Sequence, residues 1–543
     1  MNKKIYESLE ITDLKDMLNK TNELYGYKSA YKIKIQEGQY KIFTHSQVRD
    51  MIDSLGTALI DMGLKGKRIG VIGQNRYEWE IAYLSIVCGT GIVVPMDKSL
   101  PENELKQVIK RSNVEAIFCT EKYIQILEKI KRESIGSLKY IISMDSNTKN
   151  DIYSQQELIE KGKELINNGD KKFTKAEINA EEMSIMLFTS GTTSVSKVVA
   201  LSHKNICTNL MDLGSILDVN SEDILLSVLP IHHVFECTVG FLLAFYKGAQ
   251  TVFSDGIKHI IENLNEYHVS VMANVPGVYE RILKIVTKKI NKQGKDILKE
   301  FKQSLGGNIK LFISGAAAIS KSVESTYRNL GINMVQGYGL TETSPVLAIG
   351  TNNYYKTGSV GRTVPSIEAK LVNVNKEGIG ELVVKGPSVM IGYFENEDAT
   401  KEVLKNGWFY TGDLARIDDD GYIFICGRKK SVIVLQNGKN IFPEEIESLI
   451  NSIDGIKESF VFGKQQSENE NDIRISAKIV FDRGVFKIQD DNQIYTIIHE
   501  KIKEINNIMP HYKAIREIIL TEEPLIKTTT NKIKRQENLN AIK

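Results

Sequence analysis

Cysteine is scarce in this sequence, which has five cysteines among 543 residues. The five lie far apart and form no CxxC pair: Cys88, Cys119, Cys207, Cys237 and Cys426. Disulfide-rich domains and structural zinc sites need cysteines at close, paired spacings. We therefore expect neither a disulfide framework nor a zinc site, and the composition fits a protein of the reducing cytoplasm.

The sequence also lacks an excess of charge of either sign. Its 70 lysines and arginines nearly balance 68 aspartates and glutamates, so the formal net charge is +2. Proteins whose main partner is a nucleic acid usually carry a concentrated positive face. Because the lysines here are spread evenly among acidic residues, we expect no nucleic acid partner.

Long hydrophobic runs are absent as well. The longest apolar window, CTVGFLLAFY at 237–246, is too short to span a bilayer. The first 20 residues carry charge and contain no apolar core of the kind that defines a secretory signal peptide. We expect no transmembrane segment and no signal peptide, whereas peripheral contact with a membrane stays an open alternative.

What the sequence does contain is an alternation of short apolar segments and helical patterns. The apolar segments have the pattern of buried strands, and most precede a Gly-, Ser- or Thr-rich turn: 67–73, 114–120, 139–144, 184–188, 310–314 and 332–336. Such βα units predict an α/β fold with a largely parallel sheet. Ligands of these sheets bind at the carboxyl ends of the strands, where the small polar turns lie.

The pattern changes in the last third of the chain. After about residue 357 the sequence is rich in Gly, Pro and β-branched residues, which predicts a small antiparallel, barrel-like β module. After Gly427, strand and helix patterns alternate over a length that suits a separate α+β domain. We predict a large N-terminal domain at 1–429 and a small C-terminal domain at 430–543, with the basic stretch GRKK as the linker.

One turn after an apolar strand has the composition of a phosphate-binding loop. The stretch LFTSGTTSVSKVVALSH at 187–203 contains Lys197 and, before it, a row of small residues: Thr189, Ser190, Gly191, Thr192 and Thr193. Hydroxyls and turn N–H groups donate to phosphate oxygens, and a lysine adds positive charge. A Walker A loop is excluded, because Ser196 and Val198 stand where it needs Gly and Ser or Thr. On composition alone, a solvated loop without a ligand is the simpler interpretation.

The flanks of this loop change that interpretation. TSGTT, a following lysine and LSH resemble the signature loop of the adenylate-forming (AMP-binding) superfamily, which includes acyl- and aryl-CoA synthetases, peptide-synthetase adenylation domains and firefly luciferase. The usual form is TSGTTGxPKGV, and this chain has Ser194, Ser196 and Val198 in place of Gly, Pro and Gly. The resemblance implies that the loop and Lys197 bind the phosphates of ATP, and that Thr189 helps to hold Mg²⁺.

A second motif, QGYGLTET at 336–343, matches the superfamily's YGxTE element without departure. The resemblance implies that Tyr338 packs on adenine, that Thr341 contacts the α-phosphate and that Glu342 holds Mg²⁺. This hard cation prefers carboxylate oxygen. The other residues of the motif that are predicted to line the nucleotide site are Gln336, Gly337 and Gly339.

A third stretch, WFYTGDLARIDDDGYIFICGRKK at 408–430, resembles the superfamily's YTGDL…GR block. By this resemblance Asp413 accepts hydrogen bonds from both ribose hydroxyls, as a fixed carboxylate can. Arg428 reaches the ribose or a phosphate. Lys430 falls at the hinge position, which implies a mobile C-terminal domain.

Two further motifs lie in the predicted C-terminal domain. NGKNIFPEEIE at 437–447 resembles the form of long-chain-type acyl-CoA synthetases, and it implies that Gly438 lines the path of the pantetheine arm of CoA. PLIKTTTNKIKR at 524–535 resembles the C-terminal element whose lysine, here Lys532, reaches the carboxylate and the α-phosphate during adenylation. Asn531 replaces the usual glycine there.

Two segments are predicted to border the acyl pocket. LPIHHVFE at 229–236 resembles the superfamily's P-x-x-H segment, with His233 at the position of the histidine. ISGAAAIS at 313–320 resembles the SGGAPLS turn, with Ala316 and Ala318 in place of Gly and Pro. A structural histidine is an equally good interpretation of His233 taken alone.

Together the motifs predict an ATP-dependent acyl-CoA synthetase. Its predicted substrates are a medium- or long-chain fatty acid, ATP and CoA, with Mg²⁺ as the metal. The predicted catalytic residues are Lys532, Thr341, Glu342, Lys197 and His233. Two alternatives stay open: transfer of the acyl group to an acyl carrier protein, and a degenerate nucleotide-binding module without ligase activity.

Overall fold

Two large β-sheets form the frame on which most of the predicted motifs lie. The computed structural model describes residues 1–145, 152–189, 197–290, 297–435, 440–465, 473–488, 490–528 and 533–542. In these ranges no helix is both long and apolar enough to cross a membrane.

Helices and strands alternate along the first 202 residues. The strands are β1 Ser29–Gln36, β2 Gln39–Thr44, β3 Arg68–Ile72, β4 Ile92–Met96, β5 Ala116–Cys119, β6 Tyr140–Ser143, β7 Tyr153–Ser154, β8 Met183–Phe188 and β9 Val198–Ser202. The helices are α1 Leu14–Tyr25, α2 His45–Asp61, α3 Tyr77–Ser85, α4 Glu102–Ser112, α5 Ile124–Arg132 and α6 Gln155–Asn167.

The same alternation continues to residue 363. The strands are β10 Ile224–Ser227, β11 Gln250–Phe253, β12 Val271–Asn274, β13 Leu311–Ser314, β14 Asn333–Gly339, β15 Val346–Ile349 and β16 Arg362–Thr363. The helices are α7 His203–Ile216, α8 Leu243–Tyr246, α9 Ile260–Tyr267, α10 Pro276–Lys289, α11 Ile297–Ser304 and α12 Lys321–Asn329.

Strands dominate the following segment, and helices return near the C-terminus. The strands are β17 Glu368–Val372, β18 Gly380–Lys385, β19 Gly392–Tyr393, β20 Leu404–Lys405, β21 Trp408–Ile417, β22 Ile423–Arg428, β23 Ile433–Val434, β24 Asn440–Ile441, β25 Ile456–Gln465, β26 Ile473–Phe481 and β27 Glu517–Thr521. The helices are α13 Glu397–Val403, α14 Pro443–Asn451, α15 Arg483–Phe486, α16 Asp491–Ile508 and α17 Arg535–Asn540.

The two large sheets are mostly parallel and become antiparallel at their edges. The eight-stranded sheet has the order β19-β9-β8-β4-β3-β5-β6-β7, in which β9 runs antiparallel to both neighbours. The nine-stranded sheet has the order β16-β15-β14-β13-β12-β10-β11-β1-β2, and its antiparallel pairs are β1–β2, β14–β15 and β15–β16. One buried apolar cluster draws residues from both sheets, including Val71 and Ile313. The predicted α/β class is thus confirmed, as two sheets that share a core.

The strand that carries the YGxTE motif is longer than its apolar pattern predicts. We expect the motif to follow a strand that ends at 336, but β14 runs from Asn333 to Gly339 and includes the first half of the motif. The reason is a change of partner: β14 pairs in parallel with β13 as far as Gln336, and then antiparallel with β15 at Tyr338. The second ladder holds the strand extended past its apolar part.

The C-terminal part of the chain has a core of its own. Strands β25, β26 and β27 form a three-stranded sheet, and its buried cluster includes residues of α14 and α16, such as Ile446 and Ile498. This arrangement agrees with the predicted α+β C-terminal domain. The predicted boundary after residue 429 falls in a helical turn at Lys429–Ser431 and stays a prediction.

A close backbone approach joins the nine-stranded sheet to the five-stranded sheet of β17, β18, β20, β21 and β22. Gly361 accepts a hydrogen bond from the Ile423 N–H of β22 at 2.9 Å. Its φ is +84°, and a Cβ at this position would lie 2.0 Å from the carbonyl carbon of Ile349 in β15. Only glycine fits a backbone this close with a positive φ.

Gly361→Ala is expected to lower the melting temperature well below that of Gly378→Ala. Gly378 has a similar φ of +75°, but a Cβ there would meet nothing within 4 Å. The control therefore measures the strain of a positive φ alone, about 1 kcal/mol. Crowding at Gly361 adds about 1–3 kcal/mol, the usual order for overpacking. If thermal unfolding shows the same fall in melting temperature for both variants, the backbone at Gly361 is not tightly packed against β15.

Candidate active site

Polar side chains line the carboxyl ends of neighbouring strands in the nine-stranded sheet. Asn274 of β12, Ser314 of β13 and Gln336 of β14 follow one another across the parallel ladder, and all three are buried. The hydroxyl of Ser314 is buried without a hydrogen-bond partner among the described residues. Ligands of such sheets bind at this edge, so the site is centred where β14 leaves the sheet.

Tyr338, Asp413 and Arg428 form a connected group beside this edge. The Tyr338 hydroxyl donates to Asp413 Oδ2, and Arg428 Nε donates to Asp413 Oδ1 at 2.8 Å. Asp413 lies opposite Arg428 in the β21–β22 ladder and is 3% exposed. Burial and the neighbouring Asp413 carboxylate raise the pKa of Tyr338 well above its usual value. The phenol therefore stays protonated and donates to the carboxylate.

The YGxTE turn is folded back so tightly that it requires glycine. A Cβ on Gly339 would lie 1.8 Å from the carbonyl oxygen of Pro345, which also accepts the Leu340 N–H at 3.1 Å. Thr341 and Glu342 lie in the helical turn within this fold. The backbone thus places Glu342 in the turn that directly follows β14.

Glu342 and Lys197 meet at Tyr393, a residue that the motifs do not predict. The Tyr393 hydroxyl donates to Glu342 Oε1 at 2.8 Å, and Lys197 Nζ lies 4.3 Å from the centroid of the Tyr393 ring. Tyr393 belongs to the two-residue strand β19, which pairs with β9 after the phosphate loop. Tyr393 lies in the segment IGYFENEDAT, but no pattern in the neighbouring residues indicates that it contacts Glu342 and Lys197.

The two ends of the phosphate loop are joined by backbone. Thr189 donates to the Lys197 carbonyl through its N–H at 2.9 Å and its hydroxyl at 3.2 Å. Val198, the residue in place of the motif's last glycine, is 3% exposed and packs in an apolar cluster with Met186. This departure therefore adds core packing. Residues 190–196 lie outside the described residues, and they include the loop positions discussed above: Ser190, Gly191, Thr192, Thr193, Ser194 and Ser196.

Helix α7 braces the YGxTE turn from both sides, through two asparagines that the motifs also miss. Asn209 Nδ2 donates to the Val346 carbonyl at 2.6 Å, and the Val346 N–H donates back to Asn209 Oδ1 at 3.3 Å. Asn205 Nδ2 donates to the carbonyls of Pro387 and Val389 at 2.8 and 2.9 Å. The next residue, Met390, donates its N–H to the Glu342 carbonyl at 2.8 Å. Satisfied buried amides of this kind fix the backbone around Glu342.

The oxygen-rich character of this site suits Mg²⁺. The two residues predicted to hold it, Glu342 and Thr189, would offer a carboxylate and a hydroxyl. No group of three or more His, Cys, Asp or Glu side chains that could hold a metal occurs in the part of the chain that the structure describes. Mg²⁺ typically takes one or two protein carboxylates and completes its shell with water and substrate phosphates, so the residues fit the ion.

The two segments predicted to border the acyl pocket touch each other. A Cβ on Gly315 would lie 2.7 Å from the ring of Phe235, so LPIHHVFE packs directly on ISGAAAIS. Ala316 takes a φ of +65° where the motif has glycine. His233 is half-buried, and its Nδ1 accepts the Phe235 N–H at 3.2 Å. The role of His233 stays a prediction.

Asn75 holds the LPIHHVFE segment from the other large sheet. Its Nδ2 donates to the Leu229 carbonyl at 2.6 Å and to Ser227 Oγ at 2.8 Å, and its Oδ1 accepts the Ile231 N–H at 3.2 Å. Ser227 Oγ donates in turn to Glu236 Oε1 at 2.7 Å. Sequence reasoning misses this clamp, because the loop after β3 has no motif that points to it.

The predicted residues of the C-terminal part are only partly described. Lys430 is exposed in the turn after β22, and its neighbour Lys429 pairs with Glu381 at 2.7 Å. Gly438 and Lys532 lie outside the described residues.

Glu236→Gln is expected to flatten the dependence of stability on pH. Glu236 is 1% exposed, and burial raises its pKa from 4.5 to about 8. Because the folded state then binds its proton more tightly than the unfolded state, this stabilisation is complete below pH 4.5 and is lost as the pH rises to about 8. The slope is at most about 1.4 kcal/mol per pH unit. Thermal unfolding between pH 5 and 9 measures it.

The exposed Glu104 gives the control, and Glu104→Gln should keep the wild-type slope. If Glu236→Gln also keeps that slope, Glu236 does not titrate in this range.

Comparison of the sequence with known proteins identifies a family for this chain. Residues 21–394 match the AMP-binding enzyme family, and residues 430–542 match the AMP-binding enzyme C-terminal domain. Fatty acyl-CoA synthetase B of Dictyostelium discoideum is 28% identical over 518 residues, covering 85% of this chain and 76% of that protein. The long-chain-fatty-acid–CoA ligase of Salmonella typhimurium is 29% identical over 442 residues, covering 75% and 76%.

Solved structures of such enzymes have the same fold. The anthranilate CoA ligase AuaEII in complex with anthranoyl-AMP superposes with a TM-score of 0.81 at 20% identity, covering 97% of each chain. ATP-bound MatB from Rhodopseudomonas palustris superposes with a TM-score of 0.80 at 22% identity, covering 98% of this chain and 99% of that chain. The chain therefore belongs to the AMP-binding enzyme family, the adenylate-forming superfamily that its motifs resemble.

Proposed function

We propose that the protein is an AMP-forming acid–thiol ligase that joins a medium- or long-chain fatty acid to CoA. ATP is consumed, and AMP and pyrophosphate are released. The observation that carries the proposal is the assembly of two groups at one strand end: Tyr338 with Asp413, and Glu342 with Lys197 through Tyr393. Relatives named long-chain-fatty-acid–CoA ligase support the fatty acid.

In the first half-reaction, a carboxylate oxygen of the fatty acid attacks the α-phosphorus of ATP, and pyrophosphate leaves. The nucleophile is already ionised, so the task of the enzyme is positioning and charge stabilisation. Tyr338 packs on adenine, and Asp413 accepts from the ribose hydroxyls beside Arg428. When bound, Mg²⁺ neutralises phosphate charge.

Positive and hydroxyl-bearing groups receive the phosphates. Lys197 and the loop at 189–193 bind the phosphates of ATP, and Thr189 and Glu342 would hold the metal. Thr341 donates to the α-phosphate, and Lys532 reaches the α-phosphate and the attacking carboxylate. Such preorganised donors lower the barrier because they need no reorientation during the reaction.

In the second half-reaction, the CoA thiol attacks the acyl carbon of the adenylate and AMP leaves. The C-terminal domain turns about Lys430, which lies exposed at the end of β22. This rotation withdraws Lys532 and brings the Gly438 loop to the path of the pantetheine arm. His233 lies beside the acyl group, on the segment that Asn75 clamps.

Purified protein is expected to release pyrophosphate with medium- and long-chain fatty acids and to form thioesters when CoA is present. A panel of carboxylates, scored for pyrophosphate with and without CoA, measures this. If thioester forms only with an acyl carrier protein, that protein and not CoA is the acceptor. Absence of pyrophosphate release with every carboxylate would favour the degenerate module.

Lys532→Ala is expected to slow adenylate formation by about 10²–10³-fold, because it removes one preorganised positive charge. Thioester formation from supplied acyl-adenylate should stay near the wild-type rate. Lys534→Ala is the matched control, since Lys534 pairs with the surface residue Glu537 at 3.0 Å. Equal loss in both half-reactions would contradict a role of Lys532 confined to the first.

A further inference from the structure

Tyr393 contacts two of the predicted phosphate-site residues through different parts of its side chain. The hydroxyl donates to Glu342 Oε1, and the ring face lies under Lys197 Nζ. Glu342 and Lys197 come from segments far apart in the chain. Tyr393 contacts both of them and so connects the YGxTE turn with the residue that ends the phosphate loop.

The hydroxyl of Tyr393 is suited to hold a carboxylate in one orientation. The side chain is 7% exposed, and a phenol is protonated near neutral pH, so it remains a donor. A hydrogen bond to a charged acceptor is stronger than one between neutral groups. With Oε1 engaged in this way, Oε2 of Glu342 is available to a cation.

The ring of Tyr393 is suited to hold the ammonium of Lys197. At 4.3 Å from the centroid, Lys197 Nζ is well inside the range of a cation–π interaction. This contact limits the freedom of a long, flexible side chain next to the loop. The ammonium is thus kept near the phosphates before ATP binds.

The backbone keeps Tyr393 itself in place. The residues that flank β19 donate their N–H groups to β9, Ile391 to Ala200 at 3.1 Å and Phe394 to Val198 at 2.8 Å. The Tyr393 N–H donates to Thr400 Oγ1 at 2.9 Å. The position of Tyr393 is therefore coupled to that of β9, the strand that follows the phosphate loop.

We propose that Tyr393 is a positioning residue for adenylation: its hydroxyl orients Glu342 for the metal, and its ring holds Lys197 for the phosphates. The inference rests on the proposed function, because it assigns the metal to Glu342 and the phosphates to Lys197. Tyr393 itself touches no reacting atom.

Two substitutions separate the hydroxyl from the ring. Tyr393→Phe keeps the ring, so it should bind a non-hydrolysable ATP analogue in EDTA as tightly as wild type does. With Mg²⁺ present it should bind the analogue about tenfold more weakly, because the oriented carboxylate is lost. Tyr393→Leu should also weaken binding in EDTA by about two- to fivefold, since the cation–π contact is gone. Isothermal titration calorimetry measures both conditions.

A double-mutant cycle gives a readout that a purely structural role would not move. In a Glu342→Gln background, Tyr393→Phe should cause no further loss of Mg²⁺-dependent binding, because both changes remove one interaction. Additive losses would overturn the proposal. Tyr153→Phe is the control, since Tyr153 is 41% exposed and lies in β7, at the far edge of the eight-stranded sheet.

The outcomes also distinguish this inference from the proposed function. If wild type neither binds the analogue with Mg²⁺ nor releases pyrophosphate, the proposed function fails, and this inference fails with it. If wild type does both and Tyr393→Phe matches it in EDTA and in Mg²⁺, only the role of Tyr393 is wrong. Phenylalanine has nearly the shape of tyrosine, so Tyr393→Phe should fold as wild type does. The comparison of these two proteins decides the question, whether or not Tyr393→Leu folds.

Discussion

The hydrogen bond between the Tyr338 hydroxyl and the Asp413 carboxylate is the contact on which the site depends. It joins the end of β14, in the nine-stranded sheet, to β21 in the five-stranded sheet. A buried carboxylate is costly unless it is paired and hydrogen-bonded, and here the phenol and Arg428 meet that demand together. The close approach at Gly361 keeps the two sheets near enough for the bond to form.

A second set of contacts organises the phosphate side of the same strand end. Helix α7 follows β9 directly, and its buried asparagines hold the backbone on both sides of Glu342. Tyr393 connects this frame to Lys197. Lys197, Glu342 and Tyr338 are thus held by elements of both large sheets that meet near the end of β14. Such preorganisation is what a reaction governed by charge stabilisation needs.

The sequence predicts the α/β class, the antiparallel segment, the C-terminal α+β unit and the motif residues, because each leaves a local trace. Apolar periodicity marks the strands, and Gly339 marks a turn that only glycine fits. The extension of β14 is not predicted, since it results from pairing with β15 rather than from apolar residues. Asn75, Asn209 and Tyr393 are missed for a similar reason: their partners lie far away in the chain.

The sequence by itself determined which residues could take part: the hydroxyls and lysine of one loop, the glutamate of the YGxTE motif, and the aspartate and arginine of the YTGDL…GR block. Only the tertiary structure decided that Tyr393 bridges Glu342 and Lys197, and that Phe235 packs on Gly315. The physical reason is the distance along the chain over which each effect acts. Propensity and periodicity act over a few residues, whereas sheet register and helix packing select the distant partners that each side chain meets.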